Sequence, residues 1–103
     1  MCGIIGVTSS KPVATKLAQG VRRLEYRGYD SVGVATLDSG KIEIRKGVGK
    51  VDQVDAELDF NSALGNLGIA HCRWGTHGGI TQANSHPHLG PSGKVAIVHN
   101  GII

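Results

Sequence analysis

Sixteen glycines among 103 residues constrain this chain more than any other feature. That many do not suit a simple helical bundle, because each costs backbone entropy in a regular element. They suit tight turns and places where backbone passes close to a ligand. The apolar residues between them fall largely into strand-length runs. Gly3-Ile4-Ile5-Gly6-Val7 reads as a short buried strand, and residues 67–71 and 95–99 are runs of the same kind. Residues 32–37 and 41–46, separated by Asp38-Ser39-Gly40, predict a hairpin. Within it Ile42 and Ile44 alternate with Lys41, Glu43 and Arg45, which predicts one packed face and one wet face.

One helical pattern interrupts the strands. Val13, Leu17, Val21 and Leu24 recur at helical spacing, while Lys16, Gln19, Arg22 and Arg23 occupy the other faces. This predicts an amphipathic helix of about 12 to 15 residues ending near Tyr26-Arg27-Gly28. Ser9 or Ser10 is the expected N-cap, Pro12 fits the first turn, and Gly28 suits a left-handed helix end. Residues 51–58 carry a weaker helical pattern with several acids. The aromatic residues are only Tyr26, Tyr29, Phe60 and Trp74, so a core must be built from Val, Ile, Leu and Ala. A mixed α+β chain of at most one domain follows. Its half-set of elements, closing on Ile102-Ile103, is expected to be part of a larger domain.

The charge is not a functional signal. A net charge of +3 comes from basic residues dispersed over the helix and the hairpin, where they read as solvated faces. A nucleic-acid interface would cluster them among aromatics. No basic leader precedes residues 3–7, and no apolar run approaches the ~20 residues of a membrane span. The expectation is a cytoplasmic chain, with Cys2 and Cys72 reduced.

Three places can carry chemistry. Cys2 follows the initiator methionine, whose removal is normal before a small side chain. A thiol nucleophile and an α-amine base would then share one residue. A buried structural cysteine is the competing reading. Residues 73–93 are rich in Gly, Thr, Asn, Ser, His and Pro, and long loops of this kind are often functional. That stretch opens with Arg73, whose planar fork suits a carboxylate, and Trp74, an apolar wall or lid. Asn100-Gly101 can present two N–H donors to one small volume, as an oxyanion hole requires, or can be a plain turn dipeptide. The five histidines, His71, His77, His86, His88 and His99, lack the paired spacing of a structural zinc site. His77 or His86 holding loop backbone is the better reading.

Together these stretches resemble a known family. Cys2-Gly3-Ile4-Ile5-Gly6, the run from Arg23 through Leu24-Glu25-Tyr26-Arg27-Gly28-Tyr29-Asp30 to Ser31, and Arg73-Trp74-Gly75-Thr76-His77-Gly78 are similar to the class II (N-terminal nucleophile) glutamine amidotransferases. Asn84-Ser85-His86-Pro87-His88 and Val98-His99-Asn100-Gly101-Ile102-Ile103 continue the match over nearly the whole chain. The version from Leu24 to Ser31 resembles the glucosamine-6-phosphate synthase branch. The phosphoribosyltransferase branch usually carries His-Arg-Gly-Gln-Asp there.

The resemblance implies the four-layer αββα sandwich of the N-terminal-nucleophile hydrolases, with residues 1–103 supplying roughly the first half of a glutaminase domain. It implies Cys2 as nucleophile, with its α-amine as base through a water, and Arg27 organising the nucleophile. Asn100 and Gly101 would form the oxyanion hole. Arg73 would bind the glutamine α-carboxylate with help from Thr76 and His77, and Trp74 would belong to the closing loop. No metal or cofactor is implied for this half-reaction. The implied partners are glutamine, a sugar-isomerase-type synthase domain and fructose 6-phosphate, in a homo-oligomer. Cys72, Gly75 and Ser85 depart from the usual Thr or Ser, Ala and Ala. Another class II amidotransferase, or a non-catalytic module of the same fold, is the alternative.

Overall fold

Strand β2 (Ser31–Asp38) turns through Ser39 and Gly40 into β3 (Lys41–Val48). Both turn residues have positive φ, 51° and 79°, the conformation that matches the twist of a two-residue hairpin. A computed structural model describes residues 2–27, 30–74 and 81–100, apart from the side chain of Arg27. Strands β1 (Gly3–Thr8) and β4 (Leu67–Arg73) complete an antiparallel sheet of order β1-β4-β2-β3. The register sets Gly3 opposite Cys72, Val32 opposite Cys72 and Val34 opposite Ala70. The two central strands therefore share one alternation of faces.

Helix α1 (Ala14–Leu24) lies across β1 and β4, and α2 (Val51–Leu58) lies against β3. Val13, Leu17, Ala18 and Val21 pack with Val32, Val34, Val54, Phe60 and Ala70 into the core on this face. The helix is shorter than the sequence pattern suggests because its end tightens into a 3-10 turn, Glu25–Arg27. Neither Ser9 nor Ser10 caps it. The N-cap position is Val13, whose N–H donates instead to Gly65 O at 3.0 Å. Glu25 leaves the end of α1 to cap its neighbour, accepting the first N–H of α2 at Val51 at 2.6 Å. The expected left-handed end at Gly28 lies outside the described residues.

The wet and packed faces of β3 depart from expectation. Glu43 and Arg45 face the helices, and the Arg45 guanidinium donates to Leu58 O at 3.1 Å, to Asp59 O and to Ser62 Oγ. Carbonyls left over at the end of α2 thereby find a donor. Ile42 and Ile44 lie on the opposite face of the sheet, which residues 81–100 partly cover. That arm contains a two-stranded sheet, β5 (His88–Leu89) with β6 (Ala96–Ile97). The predicted strand over 95–99 contracts to β6 because His99 N–H turns aside to a histidine ring. A cavity of about 210 Å³ separates arm from sheet at the end remote from Cys2, bounded by Ala35, Leu37, Ile42, Leu67, Ile69 and Ala96. Among the described residues no helix is long and apolar enough to cross a membrane.

Candidate active site

Pairing of β1 with β4 brings the start of the chain to the end of a central strand. Gly3 stands opposite Cys72, so Cys2 comes alongside Arg73 and Trp74. The half-buried Cys2 Sγ accepts the Trp74 backbone N–H at 3.4 Å and lies 3.6 Å from Trp74 O. A backbone N–H aimed at sulfur supports the thiolate, and the carbonyl can accept from the thiol. Trp74 itself is 48% exposed.

Arg73 closes β4 and is buried, opposite Ser31. Asp30 N–H donates to Arg73 O at 2.6 Å, and Ser31 Oγ donates to Asp30 Oδ1 at 3.0 Å. The acidic residue of the Tyr29-Asp30-Ser31 run thus belongs to the surroundings of the candidate carboxylate-binding arginine.

Two residues upstream on β4, His71 reaches the far end of the arm. Its Nε2 lies 2.7 Å from Asn100 Oδ1. His71 stacks on His86 with ring centroids 4.3 Å apart and planes 21° from parallel, and His86 lies 4.4 Å from His88. His86 Nδ1 accepts the His99 backbone N–H at 3.3 Å. The expectation that a histidine holds loop backbone is met by His86. His77 lies outside the described residues.

Electrostatics keep this stack neutral. Burial pushes His86 down to about 4, and charge on His71, His88, Arg73 and Lys46 would push it further in the same direction. His71 and His88 are lowered as well, burial being the first cause in each. Burial pushes the Cys72 thiol up to about 11, which leaves it protonated and inert as a nucleophile. Among the described residues no group of three or more His, Cys, Asp or Glu could hold a metal.

Lys46 and Gly33 fix the arm in place. The Lys46 ammonium donates to Ser85 O at 2.8 Å and Pro87 O at 3.0 Å, and burial lowers its pKa. A Cβ on Gly33 would stand 2.2 Å from His86 O, so only glycine allows the arm this close. The His86-Pro87 peptide bond of that segment is cis. Neither Lys46 nor Gly33 stands out in the sequence. Lys46 reads there as one more solvated base, and its partners lie 39 and 41 positions away.

The structure therefore brings Cys2, Arg73 and Trp74 together and ties Asn100 to the same strand. Thr76, His77, Gly101 and the side chain of Arg27 lie outside the described residues.

No family model matches the chain. It is 50% identical, over its whole length, to a glutamine–fructose-6-phosphate aminotransferase (isomerizing) of Pyrococcus horikoshii. It is 56% identical to the enzyme of that name from Methanothermobacter thermautotrophicus, again across the full chain. The chain spans 17% and 18% of these curated relatives' lengths. Among solved structures, the glutamine phosphoribosylpyrophosphate amidotransferase of B. subtilis, complexed with ADP and GMP, superposes with a TM-score of 0.73. That match covers 85% of this chain and 18% of the other at 22% identity, so it speaks for the fold alone. Over its full length the chain is a homologue of the matching stretch of the glutamine–fructose-6-phosphate aminotransferases, and it shares its α+β fold with a glutamine amidotransferase.

Proposed function

We propose that residues 1–103 form the N-terminal portion of a glutaminase domain that hydrolyses glutamine to glutamate and ammonia. The observation that carries this is the Cys2 thiol held against the Trp74 backbone, beside buried Arg73. A nucleophile stands next to a group that fixes an amino-acid carboxylate. Aminotransferase relatives at about half identity supply the substrate class.

With Met1 removed, the Cys2 α-amine takes the thiol proton through a water, and the thiolate attacks the side-chain amide carbon of glutamine. Asn100 and Gly101 donate to the developing oxyanion, an interaction worth about 2.7–4 kcal/mol per donor in related chemistry. The carbon–nitrogen bond breaks as the α-ammonium protonates the leaving group, releasing ammonia. Water then hydrolyses the γ-glutamyl thioester and restores the thiol. Arg73 binds the α-carboxylate with Thr76 and His77, Arg27 organises the nucleophile, and Trp74 closes over the substrate. In the whole enzyme this ammonia would aminate fructose 6-phosphate at a separate synthase domain, in a cytoplasmic homo-oligomer.

The test is ammonia release from glutamine by the native protein that carries these residues, with loss of Met1 checked by mass. Cys2→Ala should abolish it, and Cys2→Ser should retain little, because a hydroxyl is a much weaker nucleophile than an activated thiol. Undiminished release by Cys2→Ala would refute the reading.

A further inference from the structure

His71 is 1% exposed, and its ring makes one hydrogen bond among the described residues, from Nε2 to Asn100 Oδ1. Its Nδ1 is buried without a partner there. We propose that His71, braced by His86, is a positioning residue for Asn100: its Nε2–H holds the amide oxygen and leaves the amide N–H2 free to meet the oxyanion. This rests on the glutaminase reading above.

A carboxamide has one accepting end and one donating end, so whatever holds one end decides which the other presents. A ring nitrogen that meets the Asn100 oxygen must carry a proton. In a neutral ring the other nitrogen, Nδ1, is then bare. Burial disfavours the cation, in keeping with a buried Nδ1 that has no acceptor to receive a proton. The opposite tautomer would put an acceptor against Asn100, and the amide would turn its oxygen toward the substrate. An oxygen there repels a developing negative charge. The tautomer of one buried ring therefore sets whether Asn100 can act as a donor.

His86 completes the device. Its Nδ1 accepts from His99 N–H, while His71, stacked upon it, donates to the next residue's side chain. Residues 99 and 100 are gripped by two stacked rings, one accepting and one donating; His86 must keep Nδ1 bare to accept, and His71 must keep its proton on Nε2 to donate. The charged and titratable groups facing the stack are His88 from β5, Lys46 from β3, Arg73 from β4 and Asp30 ahead of β2; the hydrogen bond to Asn100 and, after it, Asp30 favour the charged form of His71, against burial as the largest cause.

The test uses the native protein, first shown to release ammonia from glutamine. His71→Leu removes the donor at similar volume, and His71→Gln places an amide N–H near the position of Nε2. The expected result is a kcat lower by about 10- to 100-fold in His71→Leu with KM within about twofold, short of the roughly 100- to 1,000-fold for deleting an oxyanion donor itself. His71→Gln should recover most of that loss. Equal loss in both variants, loss carried by KM, or an unchanged kcat would overturn the positioning role while leaving the glutaminase reading standing. An inert parent protein would overturn both. Should His71→Leu fail to fold, nitrogen NMR of the histidine rings in unmodified protein decides the matter. At pH 7 a His71 protonated on Nε2 is expected, and the neutral Nδ1–H tautomer would refute the inference.

Discussion

On one face of the main sheet, α1 and α2 bury Leu17, Val21, Val54 and Phe60 against Val32, Val34 and Ala70. On the other, the 81–100 arm is held by two hydrogen bonds from Lys46, a stack of imidazole rings and the hydrogen bond at Asn100. The first face is built around a close-packed apolar core, with Arg45 tied to the end of α2 at its margin. The second is polar, includes a cavity of about 210 Å³, and carries every histidine among the described residues. The comparison shows a division of labour: the helix face supplies stability, and the arm face supplies groups whose orientation and protonation matter.

That division can be broken most forcefully at Leu17, which is fully buried. Leu17→Ala should cost about 2–5 kcal/mol from lost transfer energy and a residual cavity. Denaturant unfolding of the native protein should show it, and hydrogen exchange should quicken on both faces together, since the sheet is common to them. A loss below ~1 kcal/mol would mean that the helix face is not the principal source of stability.

A smaller and more local effect is expected at Gly33. The added methyl of Gly33→Ala would press on His86 O and on Lys46 Cβ, 2.6 Å from it. Overpacking of this sort costs about 1–3 kcal/mol. Exchange should quicken at residues 88–89 and 96–97, with α1 and β4 amides still protected, and kcat should fall as Asn100 loses its anchor. Uniform loss of protection on both faces would contradict the separation.

The smallest perturbation is acid. His86 is held down to about 4, whereas an unfolded histidine titrates near 6.5. Between these values the unfolded or arm-open form binds more protons, so stability of the arm falls as pH drops from about 6.5 to about 4 and levels off below. Above pH 6.5 the contribution is fully present. Local exchange of the arm against pH should show this slope, and a replacement such as His86→Leu should flatten it. An arm equally protected at pH 4.5 and 7.5 would rule out the neutral stack.

Local chemistry made much of the fold legible. The alternation from Lys41 to Arg45 and the Asp38-Ser39-Gly40 break place the hairpin, and the Val13, Leu17, Val21 spacing places α1. The elements that were not legible depend on distant partners. Arg45 looks solvated until α2 folds over it, and Val13 N–H is satisfied by Gly65 rather than by a nearby serine. In the site, Cys2, Arg73 and Asn100 stand out by residue type and position. His71 does not, because its bond to Asn100 joins residues 29 apart and follows from strand register rather than spacing.

Cys2 and Cys72 are the only two cysteines, one half-buried at the strand head and the other buried with its thiol pushed up to about 11. The direct measurement is treatment of the native, methionine-processed protein with 6-diazo-5-oxo-norleucine, a thiol-reactive glutamine analogue, followed by mapping of the adduct by peptide mass. A single adduct on Cys2, blocked by excess glutamine and accompanied by loss of ammonia release, is expected. An adduct on Cys72, or none at all, would contradict the assignment of Cys2 as the glutamine nucleophile.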